Sequence, residues 1–356
     1  MGDVILTTGV LSALRESFPE ARIDYLTRRP FDRLLGEETS LAHVYALPER
    51  NGTTFFSYHS RYFQFLRSLR EARYDLTVDF FSRGPRSRMI ALATGARSRV
   101  GFVDRDFFAQ RLLDRRVFTL TFTPPVQLAL TVDRMDYLAS RLRPRSSNSF
   151  APPRPSHPPS LHVSEENVAS AREILARDLP DGRAFWIFFC GSGISAKNWP
   201  PGRFAEIARR LVARGFGVLC LGAMSDRLQM GAVRDALTSR EGVKFYEDLP
   251  FGSLKGLCQM SSGILGNDSG PLHLAQAVGR EVLVLFGPGD HVSYAPFRGR
   301  FLKASLACQP CQAFANCCPD NRCMQEISIE EVWKSVEEEI GKRHAAPSEE
   351  RRGSWL

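Results

Sequence analysis

The chain has 356 residues, 43% of them hydrophobic and 24% charged, with a formal net charge of +8. That length suits two domains of ordinary size, and that composition suits folded cores rather than disorder. No run approaches the 18 or so uninterrupted apolar residues of a membrane-spanning helix. The opening "MGDVILTTGVLSAL" has neither a basic lead nor a small-residue cleavage site, so a secretory signal is not expected and a cytoplasmic location is.

The opening stretch places Gly2 and Asp3 ahead of a helical pattern that starts near Val4. Asp3 there reads either as an ordinary helix N-cap or as a functional carboxylate. The first half then alternates β-type runs with amphipathic helices. Strands are expected at 22–27, 43–48 and 74–80, with a helix around Tyr62 to Ala72. Arginine is dense here: Arg67, Arg70, Arg73, Arg83, Arg86, Arg88, Arg97 and Arg99. Such a surface is either simply solvated or suited to an anionic partner, whether a lipid headgroup surface, a phosphorylated glycan or nucleic acid.

Residues 143–160, "RPRSSNSFAPPRPSHPPS", have no apolar period and read as a linker. This divides the chain into a first domain over 1–142, the linker, a second domain over 161–340 and a polar tail over 341–356. In the second domain strands are expected at 185–190, 217–222, 244–248, 263–268 and 281–286, with a helix at 203–214. Continuous apolar strands alternating with helices indicate an α/β fold whose parallel sheets are covered on both faces.

Two strand-to-helix junctions in that domain carry the chemistry. In "GNDSGPLHLAQAVG" an apolar strand runs into Asn267 and Asp268, and a helix begins at once. Pro271 suits the first helical turn, Ser269 or Asp268 suits the cap, and Gly270 permits close backbone approach. A helix N-terminus offers unpaired N–H groups and a positive dipole end, a seat for phosphate, with His273 one turn on. The alternative is a well-capped structural helix. The second junction, "FFCGSGISAKNWP", leaves its strand into Gly191, Ser192 and Gly193, with Lys197 beyond. Its backbone N–H groups and ammonium suit phosphate oxygens, although the spacing is not that of a Walker loop. Both junctions open on the same edge of one parallel sheet, which points to a nucleotide diphosphate donor.

The pattern "GDV-LTT--L-ALR--FP-A-I-YL" at the N-terminus resembles the start of glycosyltransferase family nine, the ADP-heptose:lipopolysaccharide heptosyltransferases. "YDLTVDFFSRGPRSRMIALATGARSRVGF", "GSGISAKNWP" and "GNDSGPLHLAQAVG" resemble that family's other motifs, in family order. The resemblance implies a GT-B architecture of two Rossmann-like domains facing a cleft, acceptor held by the first and nucleotide-sugar by the second. It implies inverting, metal-independent transfer of heptose from ADP-heptose to a lipopolysaccharide core or lipid A acceptor, with no cofactor. By position, Asp3 matches the family's general base. Ser192, Gly193 and Lys197 match diphosphate contacts, and Asp268, Ser269, Gly270 and His273 the donor-binding turn. A protein acting on that acceptor is expected to be peripheral to the inner membrane. Family members carry a β-strand ahead of the Gly-Asp, so the natural chain is expected to start upstream. Met224 stands where some relatives have a Glu for the ribose hydroxyls; Ser225 or Asp226 could substitute.

Eight cysteines are present. Cys190, Cys220 and Cys258 lie singly in apolar stretches and read as core thiols. Cys308, Cys311, Cys317, Cys318 and Cys323 crowd one segment, where a structural metal, a labile disulfide and packed thiols all stay open. Two rivals to the heptosyltransferase reading are a transferase of the same fold with another nucleotide-sugar or glycan acceptor, and a basic nucleic-acid binder. Against the second, no aromatic platform is interleaved with the basic residues, and nucleic acid is not an expected partner.

Overall fold

The computed structural model describes residues 1–50, 52, 54–80, 85–102, 114, 116–125, 127–142, 157–311, 318 and 320–345. Arg83, Cys317, most of the 143–160 linker and most of the 341–356 tail lie outside these residues. By contacts the chain forms two units, one of Gly9–His157 and one that joins Met1–Thr8 to Pro158–Leu356. The first eight residues thus pack with the second half rather than with the first.

The chain starts with two short helices, α1 (Gly2–Leu6) and α2 (Thr8–Ser17). Thr7 separates them, its hydroxyl donating to the Val4 carbonyl at 2.7 Å. This kind of local bond competes with regular helix and breaks its run. Asp3 sits in the first turn of α1, whose N-cap is Met1. The N-cap reading of Asp3 is therefore not what the structure shows.

In the Gly9–His157 unit, β1 (Asp24–Thr27) pairs in parallel with β2 (His43–Ala46). The helix α3 (Phe31–Leu35) lies between them in sequence. After α4 (Phe55–Glu71) comes β3 (Leu76–Asp79) and then α5 (Pro85–Thr94). Next are β4 (Ser98–Phe102), β5 (Leu120–Phe122) and α6 (Thr131–Leu142). Strands β3, β4 and β5 form a second parallel sheet. Val10 and Ala13 of α2 pack on Met135 and Leu138 of α6, while Phe65 and Leu69 of α4 pack on Leu47 and Ile90.

The other unit is a six-stranded parallel sheet. The helix α7 (Glu165–Asp178) enters it, capped by Ser164 and Asn167 in a reciprocal capping box. The strands are β6 (Phe185–Phe189), β7 (Gly217–Gly222), β8 (Val243–Glu247), β9 (Gly263–Asn267), β10 (Val282–Phe286) and β11 (Gly299–Lys303). Between them run α8 (Pro201–Ala213), α9 (Arg227–Asp235), α10 (Phe251–Met260) and α11 (Gly270–Ala277), and α12 (Arg322–Gln325) and α13 (Ile329–Ala345) follow. All five residues of β6, "FWIFF", are buried. Trp186 and Phe188 point to one face, where they join Trp199, Phe204, Ile207 and Leu211 in the main core. Burial on both faces is why these strands read as unbroken apolar runs.

Strand order is β11-β10-β9-β6-β7-β8. The chain begins at β6, works outward through β7 and β8, then returns to β6's other side at β9. This reversal between β6 and β9 is the topological switch point of a Rossmann-like sheet, where crossovers diverge and leave a crevice at the strands' carboxyl ends. Trp199, fully buried, anchors the loop there by donating its indole N–H to the Ile327 carbonyl at 2.9 Å. Trp199→Ala is expected to cost about 3–5 kcal/mol in urea unfolding followed by circular dichroism. A loss under about 1 kcal/mol would show that this side chain does not hold the loop.

Candidate functional site

The loops after β6 and β9 meet at the switch point. The Lys197 ammonium lies 2.6 Å from Asp268 Oδ2, and the two side chains are only 17% and 11% exposed. The two junctions singled out in the sequence are thus one site. Asn267, the last residue of β9, is completely buried and ties the loops together. Its Oδ1 accepts the Trp199 backbone N–H at 3.0 Å, and its Nδ2 donates to the Cys190 carbonyl. A polar residue ending an apolar strand is explained by this bracing and needs no ligand.

Ser192 is turned into its own loop, its hydroxyl 2.7 Å from the Ile194 carbonyl and 2.8 Å from Asn198 Oδ1. With its hydroxyl engaged there, Ser192 leaves only its backbone N–H for any further contact. Gly193 is exposed, and a Cβ built on it meets nothing within 4 Å. This stretch of loop can be approached closely.

The start of α11 is unusual. Ser269 occupies the N-cap position but makes no side-chain cap bond, and among the described residues its buried hydroxyl has no hydrogen-bond partner. Asp268 does not cap either; its carboxylate serves Lys197. The expected cap is therefore absent, and the structural-helix alternative loses its main support. Leaving a buried hydroxyl unpaired costs roughly 1–3 kcal/mol, a cost that a bound oxyanion would remove. One turn on, His273 is buried at 7% exposure with Nδ1 also unpartnered. Two orphaned polar atoms thus converge on a helix N-terminus that carries a partial positive charge.

The N-terminal segment closes over this turn. A Cβ on Gly270 would sit 2.8 Å from Met1 Cβ, and one on Gly2 would sit 2.9 Å from the His273 ring. Gly270 is small because Met1 and Gly2 press on it. Asp3 is exposed and lies near enough to His273 to act on its charge. Asp3, Lys197, Asp268, Ser269, Gly270 and His273 therefore belong to one neighbourhood of one unit. Gly289 was not foreseen. It follows β10, and a side chain there would collide with Asp268. It leaves no signal in the sequence beyond one of several glycines in loops.

Asp226 stands beyond β7, over Gly191, with Oδ1 buried and unpartnered. Burial pushes its carboxyl above the ordinary range. Met224 is 55% exposed beside it.

The cysteines divide as their contexts suggest. Cys190, Cys220 and Cys258 are completely buried. Cys308 is exposed, Cys311 and Cys318 half-buried, and Cys323 buried. Among the described residues no group of three or more His, Cys, Asp or Glu side chains is placed to hold a metal ion. The arginines also divide. Arg88 is buried against Asp114 at 2.5 Å, and Arg99 serves the Val117 and Ala96 carbonyls, whereas Arg67, Arg70, Arg73, Arg86 and Arg97 are exposed.

A six-stranded parallel sheet with this switch point defines a Rossmann-like α/β protein, and comparison with known proteins narrows the class. The fold is GT-B. The chain aligns with the Escherichia coli ADP-heptose lipopolysaccharide heptosyltransferase II at a TM-score of 0.76 and 20% identity, covering 96% of both chains. It aligns with an E. coli heptosyltransferase solved with ADP-2-deoxy-2-fluoro heptose at 0.66 and 15%, covering 95% of this chain and 96% of that one. Residues 62–321 match the model of glycosyltransferase family 9 (heptosyltransferase), and the chain belongs to that family of glycosyltransferases. Lipopolysaccharide heptosyltransferase 3 of E. coli is 24% identical over 313 residues, 85% of each chain. Lipopolysaccharide heptosyltransferase 1 of Pseudomonas aeruginosa is 24% identical over 321 residues, 87% of this chain and 83% of its own. Asp3 lies outside the matched 62–321 segment.

Burial lowers the pKa of His273, opposed by Asp268 and then Asp3. The folded protein thus binds this proton less readily than the unfolded chain. The stabilisation is full above the ordinary histidine pKa of about 6.5 and is lost as pH falls through the folded value. Acidification from about pH 7 to about pH 5 is expected to lower the Tm of the wild type more steeply than that of His273→Gln. Equal slopes in a thermal-shift series would contradict a buried neutral imidazole.

Proposed function

We propose that this glycosyltransferase moves a heptosyl group from ADP-heptose onto a sugar hydroxyl of a lipopolysaccharide core acceptor, with inversion and without a metal. The relatives' printed activities support the heptosyl donor and that acceptor class. The observation that carries the donor side is the convergence of Lys197, the uncapped start of α11 and two unpartnered buried polar atoms at the switch point.

In this reading the diphosphate of the donor lies across the start of α11. The Ser269 hydroxyl, the Gly270 N–H and His273 bond its oxygens, and Lys197 supplies the positive charge. Asp268 holds the ammonium in position, so little reorganisation is needed when the ligand arrives. The Asp3 carboxylate takes the proton from the acceptor hydroxyl as that oxygen attacks the anomeric carbon. The new C–O bond forms on the face opposite the diphosphate. The old C–O bond breaks with its electron pair leaving on ADP, where the helix end and Lys197 stabilise the charge.

Calorimetric titration with ADP and a turnover assay with ADP-heptose test the two halves separately. Asp3→Asn is expected to lower turnover by about 10²–10⁴-fold while ADP binds as in the wild type. Lys197→Ala is expected to weaken ADP binding by about tenfold or more. Wild-type turnover in Asp3→Asn would remove Asp3 as the base. Unchanged ADP affinity in Lys197→Ala would remove the diphosphate from this loop.

A further inference from the structure

Helices α4 and α5 pack together and present an outer face that no role described so far requires. On α4 the inward side is ordinary, with Phe65 and Leu69 buried. The outward side is not. Phe56 is 83% exposed, Phe63 69% and Phe55 57%. Phe56 and Phe63 are seven residues apart and so lie within about 20° of each other around the helix axis, and Arg67 falls on the same stripe. On α5, Met89 and Leu92 are also exposed. A single exposed phenylalanine is unremarkable, but three on one helix with two more apolar side chains on its neighbour mark a contact surface.

Basic side chains outnumber acidic ones on this face. Glu71 is the only acidic side chain in α4, where it pairs with Arg67 at 2.7 Å, and α5 has none. Arg61, Arg67, Arg70 and Arg86 are all exposed. The N-terminal end of α4 also borders a cavity of about 430 Å³ whose charged lining is Arg28, Arg50 and Arg86 with Glu49, beside Tyr58 and His59. Phenyl rings on a basic helix face match the headgroup boundary of an anionic bilayer. There the rings enter the acyl edge and the guanidinium groups meet lipid phosphates.

We infer that the outer face of α4 and α5 docks on an anionic lipid bilayer, Phe56 and Phe63 inserting and Arg67 and Arg70 pairing with headgroup phosphates. This deepens the proposed function by naming the surface from which a lipid-linked acceptor would be met. Bilayer binding itself needs neither donor nor turnover, so the two readings can fail independently.

The test is co-sedimentation of the full chain with vesicles of phosphatidylethanolamine and phosphatidylglycerol, and with vesicles of phosphatidylcholine alone. The wild type is expected to pellet with the first and not with the second. Phe56→Ser/Phe63→Ser is expected to lose about tenfold in vesicle partitioning. Arg67→Gln/Arg70→Gln is expected to weaken partitioning and flatten its salt dependence. Both pairs are exposed, so unaltered Tm and ADP-induced Tm shift would show intact folding. A wild type that stays in the supernatant with anionic vesicles overturns the inference, as does a phenylalanine variant that pellets like the wild type. If that variant instead turns a dimer into a monomer in light scattering while pelleting is unchanged, the face belongs to a second copy and the inference fails. Vesicle binding without any response to ADP would uphold this surface and sink the proposed function.

Discussion

The contact between Lys197 and Asp268 organises the site. Each side chain comes from a different strand-to-helix junction, and the strands behind them, β6 and β9, are adjacent in the sheet. At 17% and 11% exposure the pair sits largely out of water. A charge placed there without its partner would be costly, roughly 3–5 kcal/mol for a fully buried pair and less here because some solvent remains. The pair therefore fixes where the ammonium stands, at the start of the turn proposed to hold the diphosphate. Asn267 reinforces the arrangement from beneath by holding the Lys197 loop through the Trp199 N–H.

From that constraint the rest of the site follows. With Asp268 committed to Lys197, no carboxylate caps α11, and with Ser269 turned inward, its hydroxyl does not cap it either. The start of the helix keeps its positive end available to a ligand. Met1 and Gly2 then approach so closely that only glycine fits at position 270. This packing brings Asp3 to the same turn. The base proposed for the acceptor and the turn proposed to hold the donor thus belong to one structural unit, although about 265 residues separate them in sequence.

Much of this was legible in the sequence. The four inner strands of the second half are apolar runs because both of their faces are covered, and each of them, like the edge strand β8, was found within a residue or two of its end. Strand β11 was missed for the opposite reason: "GRFLK" lies at a sheet edge, half exposed, with charged residues that break any apolar run. Strands β4 and β5 were missed on similar grounds, since "SRVGF" and "LTF" are short and mixed. The two strand-to-helix junctions, and their meeting, were readable because Gly, Ser, Asp and Pro at helix starts have fixed backbone consequences. The bracing role of Asn267, the inward turn of Ser192 and the need for Gly289 were not readable. Each depends on a neighbour 20 or more residues away in the chain, or on a rotamer that composition does not encode. The exposed phenylalanines of α4 were hidden because an amphipathic pattern says which residues can be buried, not which face finds a partner.

The most direct measurement of the central claim is a crystal structure of the chain with ADP bound. The β-phosphate is expected against the Gly270 N–H and the Ser269 hydroxyl, with Lys197 Nζ within hydrogen-bonding distance of a phosphate oxygen. A diphosphate seated away from the β6–β9 crevice, with Lys197 still paired to Asp268 and Ser269 still unpartnered, would contradict it.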